Sequence, residues 1–272
     1  MSFVAIFIAL LIERFFDCSH LRRWGWYTAY QNKLLQKFGD SGSNLLLAMI
    51  VIPIILLVVL LEMLISSQAF GFIKLAFSIF IILYCFGPRN LWADAFSCLN
   101  VFLEGNASIA AERLNVTFDV TRSNDADGMY REWVNNIFVQ ANRRVFATVF
   151  WFGCAGLFGV VLYRLVSLSA SKLPTARRIE SLLDWPAVRV FTFLFALGGN
   201  FSNVFARWRA QAALGLEANE TLLTECGVAA LHNVTPETIS TDGSLVKEEI
   251  SLVDRALVII LIVILVMVYL IP

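Results

Sequence analysis

The chain has 272 residues, of which 58% are hydrophobic and only 15% charged, a balance that excludes an ordinary soluble domain. Its formal net charge of zero excludes nucleic-acid binding through phosphate neutralisation. Five scattered cysteines, none at metal or redox spacing, read as isolated buried thiols.

Residues 2–12 are apolar but meet Glu13-Arg14, short of the about 20 residues that a full span needs. Two readings stay open: a crossing helix whose Arg14 snorkels to the interface, or a shallow or re-entrant helix. Residues 18–42 mix Arg22, Arg23, Lys33 and Lys37 with Trp24, Trp26 and Tyr27, the pattern of a cytoplasmic juxtamembrane helix. Asn44–Ile65 is a clear span holding Pro53 and, near its far end, Glu62. A turn at 66–69 leads to a returning span over 70–86, so the two form an antiparallel hairpin with Glu62 and Lys74 near its tip. Gly87-Pro88-Arg89-Asn90 ends that span, because proline cannot continue a helix.

Residues 88–144 are polar and helically patterned. Leu91, Ala95, Cys98, Leu99 and Phe102 mark one apolar helix face, and 107–114 reads as a second short helix. Thr121–Asp127 is a turn cluster with Asp127 as a cap, and Tyr130, Trp133, Val134, Ile137, Phe138 and Ala141 mark an amphipathic helix. A packed helical lobe on the membrane face is expected. Residues 145–168 form the next span, where Gly153, Ala155, Gly156 and Gly159 would let another helix approach closely. After a basic linker over 172–184, residues 185–206 are ambiguous. Phe191–Leu197 suits lipid, but Arg189 and Gly198-Gly199-Asn200 interrupt it, so a broken span and an interfacial helix are both open. Residues 207–254 are a second polar helical segment, and 256–271 a closing aliphatic span.

The expected fold is all-α: a polytopic helical membrane protein of four to six spans with a cytoplasmic helical lobe, in one domain over 1–272. If six segments cross, one face carries fifteen Lys and Arg and the other three, which puts both polar blocks in the cytoplasm.

Motifs for chemistry are sparse. No phosphate-binding glycine loop is present, and His20 and His232 stand alone. Metal ligation would have to rest on Glu13, Asp94 and Asp184, near span ends. Those carboxylates either hold a cation and a phosphate-bearing ligand, or pair with Arg14, Arg89 and Arg189 to lock helix ends. Arg143-Arg144 closes the amphipathic helix where a span begins, placed to snorkel, to bind phosphate, or to reach Asp94 and Asp184. The candidate ligand- or partner-binding residues are therefore Glu13, Arg14, Arg89, Asn90, Asp94, Asn142, Arg143, Arg144, Asp184 and Arg189. No catalytic residue, metal or cofactor is expected. The expected partners are the lipid bilayer and an anionic small ligand or a protein at the cytoplasmic rim, and not nucleic acid.

Several short segments carry a resemblance in order and spacing. They are Ile12-Glu13-Arg14-Phe15-Phe16, Phe86-Gly87-Pro88-Arg89-Asn90-Leu91, Gln140-Ala141-Asn142-Arg143-Arg144-Val145-Phe146-Ala147 with Phe150-Trp151-Phe152, and Leu162-Tyr163-Arg164. Leu183-Asp184-Trp185-Pro186-Ala187-Val188-Arg189 and Ala196-Leu197-Gly198-Gly199-Asn200-Phe201 follow. Together they make the chain resemble the AmpE family, bacterial inner-membrane proteins associated with the regulation of inducible beta-lactamase. That family sits in a wider group with adenosylcobinamide-phosphate synthase. The resemblance implies a non-catalytic regulatory or signalling role in the bacterial inner membrane, linked to cell-wall stress and antibiotic resistance. The alternative it leaves is a membrane enzyme of the synthase type using Glu13 and Asp94. The synthase branch carries a Glu-Asn-x-x-Asp pattern whose three positions align here with Val139, Gln140 and Arg143, so an acidic site has become basic.

Overall fold

A computed structural model describes residues 2–39, 43–67, 71–105, 107–120, 126–211, 213–231 and 243–270. The turns expected at 66–69 and 121–127, and His232, lie wholly or partly outside them. Among the described residues every regular element is a helix: α1 Ser2–Phe15, α2 Gly25–Phe38, α3 Ser43–Ser67, α4 Gly71–Cys85, α5 Leu91–Leu103 and α6 Ala107–Phe118. Then come α7 Ala126–Ala141, α8 Ala147–Ser169, α9 Pro174–Gly198, α10 Phe201–Gln211, α11 Asn219–Ala230 and α12 Ser244–Leu270. A π-helical turn, Asn142–Phe146, joins α7 to α8.

Four helical runs are long and apolar enough to cross a membrane: Asn44–Ile65, Asp127–Ser169, Pro174–Gly198 and Ser244–Met267. The fold is all-α and membrane-like. α1 and α4, with 14 and 15 residues, fall short of the about 20 that cross a bilayer without tilt or thinning. Gly156 interrupts α8 with φ +62° and ψ −147°, a left-handed conformation that glycine adopts without a Cβ clash. Gly153 and Ala155 beside this bend are exposed, and Gly159 is buried. α12 starts twelve residues before the aliphatic run expected from 256. Its first three turns bury Val246, Ile250 and Val253 at helical spacing between charged neighbours.

The chain folds as two compact units. The first holds Met1–Pro88 and Ala147–Asp184, the second Arg89–Phe146 and Trp185–Pro272. The polar segments 88–144 and 207–254 fall almost wholly in the second.

In the first unit α1 packs on α4 and α8, and α3 on α8 and α4. Ala5, Ile6 and Ala9 of α1 are fully buried with Ile50 of α3 and Ile82 of α4. Tyr27 anchors α2, its hydroxyl donating to the Leu165 carbonyl at 3.0 Å and lying 2.8 Å from Ser169 Oγ. In the second unit α7 packs on α6, α11 and α12. Its apolar face is as patterned: Tyr130, Trp133, Val134, Ile137, Phe138 and Ala141 are all buried. Gly227 of α11 seats directly on the Phe138 ring.

Candidate functional site

Each unit gathers a buried polar cluster of its own. In the first, the cluster forms where α4 ends. The last carbonyls of a helix have no partner within it, and here two guanidinium groups supply one. Arg22 donates through Nε to the Leu83 carbonyl at 2.9 Å and through Nη1 to the Gly87 carbonyl at 2.7 Å. Arg164 donates through Nε to the Cys85 carbonyl at 2.6 Å, and the Thr148 hydroxyl donates to the same oxygen at 3.4 Å. Cations also suit the negative end of the α4 dipole. Glu13 balances Arg22 with a two-pronged pair, Nη1 to Oε1 at 3.0 Å and Nη2 to Oε2, and both side chains are buried. Nearby, Asp184 is buried and accepts a hydrogen bond from Tyr163 at 2.9 Å. Arg14 is half-buried.

In the second unit the cluster sits on the π-helical turn. A π turn adds a residue to the helical repeat and re-aims the side chains it carries. Arg144, 5% exposed, donates through Nη1 to Asp94 Oδ2 at 2.8 Å, through Nε to Gln140 Oε1 at 2.9 Å, and through Nη2 to the Thr117 carbonyl. Its guanidinium also lies over the Phe118 ring, 5.3 Å from the centroid. Gln140 passes the network on to Asp119 Oδ2 at 3.0 Å. Asp119 turns the chain after α6 in the left-handed region, φ 56°, which Asp tolerates better than most residues. Asn90 caps α5 by accepting from the Ala93 N–H at 3.0 Å, which places Asp94 in the first helical turn.

The remaining sequence-named residues of this unit lie as follows. Arg143, half exposed, pairs with Glu220 at 2.6 Å. Arg189 is buried, donates to Asn219 and to the Leu214 carbonyl, and stacks over Trp185. Asn142 is buried, and Arg89 is exposed. Of the acid–base contacts named from sequence, Arg144 with Asp94 is formed, and Glu13 pairs with Arg22. Among the described residues no cluster of three His, Cys, Asp or Glu comes together as a metal would need.

A family model described as "Regulatory signalling modulator protein AmpE" matches residues 1–271. The chain belongs to the AmpE family. Two curated relatives carry the description "Cobalamin biosynthesis protein CobD". The one from Chromobacterium violaceum is 26% identical over 157 residues, 53% of this chain and 50% of the relative. The one from Stutzerimonas stutzeri is 30% identical over 118 residues, 39% of each chain. This AmpE-family chain thus spans half or less of the length of the curated relatives it matches. No solved structure matches it.

Arg22, Arg164 and Tyr163 are site residues beyond those that the sequence singles out, and Glu249 is a further one. Arg22 reads as one more juxtamembrane cation, and its acceptors lie 61 and 65 residues further on. Glu249 did have a signal: an acid at i+3 from Val246, followed by Ile250 and Val253, on one helix face. It is fully buried, and neither carboxylate oxygen has a hydrogen-bond partner among the described residues.

Proposed function

We propose that this AmpE-family chain is a regulatory signalling protein of the bacterial inner membrane, its polar segments 88–144 and 207–254 cytoplasmic, acting in beta-lactamase induction through contacts rather than catalysis. One observation carries this reading. Where the synthase pattern places an acid, this chain has Arg143, engaged by Glu220, and next to it Arg144, spent on Asp94, Gln140 and the Thr117 carbonyl. Arg143 thus offers a half-exposed cation for recognition, whereas metal-assisted transfer needs carboxylates open to a cation. A phosphate-bearing ligand or an acidic partner would compete with Glu220 for the half-exposed Arg143 and bear on the Arg144 network one residue away.

The experiment is a clean deletion in a host with an inducible beta-lactamase, complemented with the full chain or with Arg143→Glu. Loss of normal induction on deletion, restored by the full chain and not by Arg143→Glu, is expected. Unchanged induction in the deletion strain ends the signalling reading.

The similarity to CobD favours a second reading, a membrane enzyme acting on a small phosphate- or amine-bearing substrate. Titration of the purified protein with magnesium and inorganic phosphate distinguishes the two: saturable binding abolished by Glu13→Gln or Asp94→Asn supports the enzyme.

A further inference from the structure

In the second unit the end of α9 and the following α10 form a helical hairpin, and its tip is apolar and exposed. Asn200 caps α10, accepting from the Asn203 N–H at 3.3 Å, and α10 then runs back along α9. The Trp208 ring meets Phe193, and its Nε1 donates to the Arg189 carbonyl at 3.1 Å. At the other end of the hairpin, Leu197 is 50% exposed, and the Phe201 and Phe205 rings stack at 5.4 Å with 48% and 36% exposure. Stacked and exposed phenylalanines are an unusual surface for water.

A second observation fixes the level of this tip. α12 carries charged residues up to Asp254-Arg255 and is uncharged and apolar from Ala256 to Leu270, with Val258, Ile262 and Val266 exposed. Its uncharged stretch therefore begins just after residue 255. The Arg255 guanidinium donates to the Gly198 carbonyl at 2.5 Å. A Cβ on Gly198 would sit 3.5 Å from the Arg255 and Leu252 side chains and 3.8 Å from that of Ile259. The hairpin tip thus lies beside the start of the uncharged stretch of α12.

We infer that the α9–α10 tip is a membrane-docking surface whose occupant is phospholipid, with Leu197, Phe201 and Phe205 inserted at the boundary of headgroups and acyl chains and Arg255 binding an anionic headgroup. Aromatic side chains prefer that depth, and an arginine at the foot of a span reaches lipid phosphate at little cost. The inference is independent of the signalling reading. It assigns the tip a lipid contact whether or not α9 crosses the membrane.

The test uses the full chain in nanodiscs of mixed zwitterionic and anionic phospholipid. Cys18 and Cys154 are replaced by Ser and Ala, and a nitroxide is placed by Phe201→Cys or Phe205→Cys, with Val258→Cys as the lipid reference and Glu217→Cys as the water reference. Both tip positions are expected to favour oxygen over a water-soluble nickel complex, as Val258→Cys does. Accessibility like that of Glu217→Cys, the result if another protein or plain solvent faces the tip, overturns the inference. In parallel, Arg255→Gln should lower the anionic lipid retained on purification by about fivefold, the weight of one cation at an anionic surface, and Arg255→Lys should restore it. Retention unchanged in Arg255→Gln removes the headgroup contact. If Arg255→Gln does not fold, the nitroxide readings still decide.

Discussion

At the scale of single residues, the Glu13–Arg22 pair shows how a buried charge is made tolerable. Arg22 has acceptors on three sides, Glu13 and the carbonyls of Leu83 and Gly87. Glu13→Leu leaves a buried guanidinium without its counter-charge and should cost about 3–5 kcal/mol. Adding Arg22→Met removes the stranded cation but leaves the Leu83 and Gly87 carbonyls without that donor, so a deficit of about 1–3 kcal/mol should persist. Thermal melting of the two variants in detergent checks the order, and a double variant as stable as the parent refutes it. Asp17 gives the acid-side counterpart. Its carboxylate accepts from the Ser19 backbone N–H at 3.0 Å, which holds its pKa below the ordinary value of 3.8. The stability it contributes is therefore complete above that ordinary value and is lost as pH falls through the lower, folded one. Asp17→Asn should melt with a flatter pH dependence in that acid window, and the same slope as the parent would count against the Ser19 contact.

At the scale of elements, close packing sets the cost of change. A methyl at Gly227 would overlap the Phe138 ring, which is itself packed on Phe195. Gly227→Ala should lose about 1–3 kcal/mol by overpacking, and Phe138→Leu in the same chain should return part of it. Should Gly227→Ala melt with the parent, α11 and α7 are less tightly joined than described. Most elements were legible because their patterns are local. Leu91, Ala95, Cys98 and Leu99 are buried as their spacing implies, and Gly198-Gly199-Asn200 does break α9 from α10. The start of α12 was hidden, because Lys247, Glu248 and Asp254 mask the apolar stripe of its first three turns. The bend in α8 was hidden too, since three glycines in an apolar run suit helix packing as well as a left-handed turn. The candidate site was half legible. Arg144 and Asp94 announce themselves by charge at helix ends, but which acid meets which base depends on tertiary geometry that no spacing encodes.

At the scale of the whole molecule, a chain this apolar has few polar groups to bury, so one buried without a partner stands out. Glu249 is such a group: fully buried on α12, with both oxygens lacking a hydrogen-bond partner among the described residues, inside the helix whose Arg255 donates to the Gly198 carbonyl. Folding alone would favour an apolar residue there, because an unsatisfied buried polar group costs about 1–3 kcal/mol. Natural chains keep such violations mainly where function needs them. Glu249→Met, close in length and apolar, should therefore stabilise the protein, raising its melting temperature by about 2–4 °C for each kcal/mol recovered. In the complementation assay the same variant should lose induction despite being more stable, separating what the residue does for function from what it does for folding. A Glu249→Met protein that melts below the parent would mean that the acid has a partner the fold depends on. One that is both more stable and fully inducing would mean that Glu249 has no task in signalling.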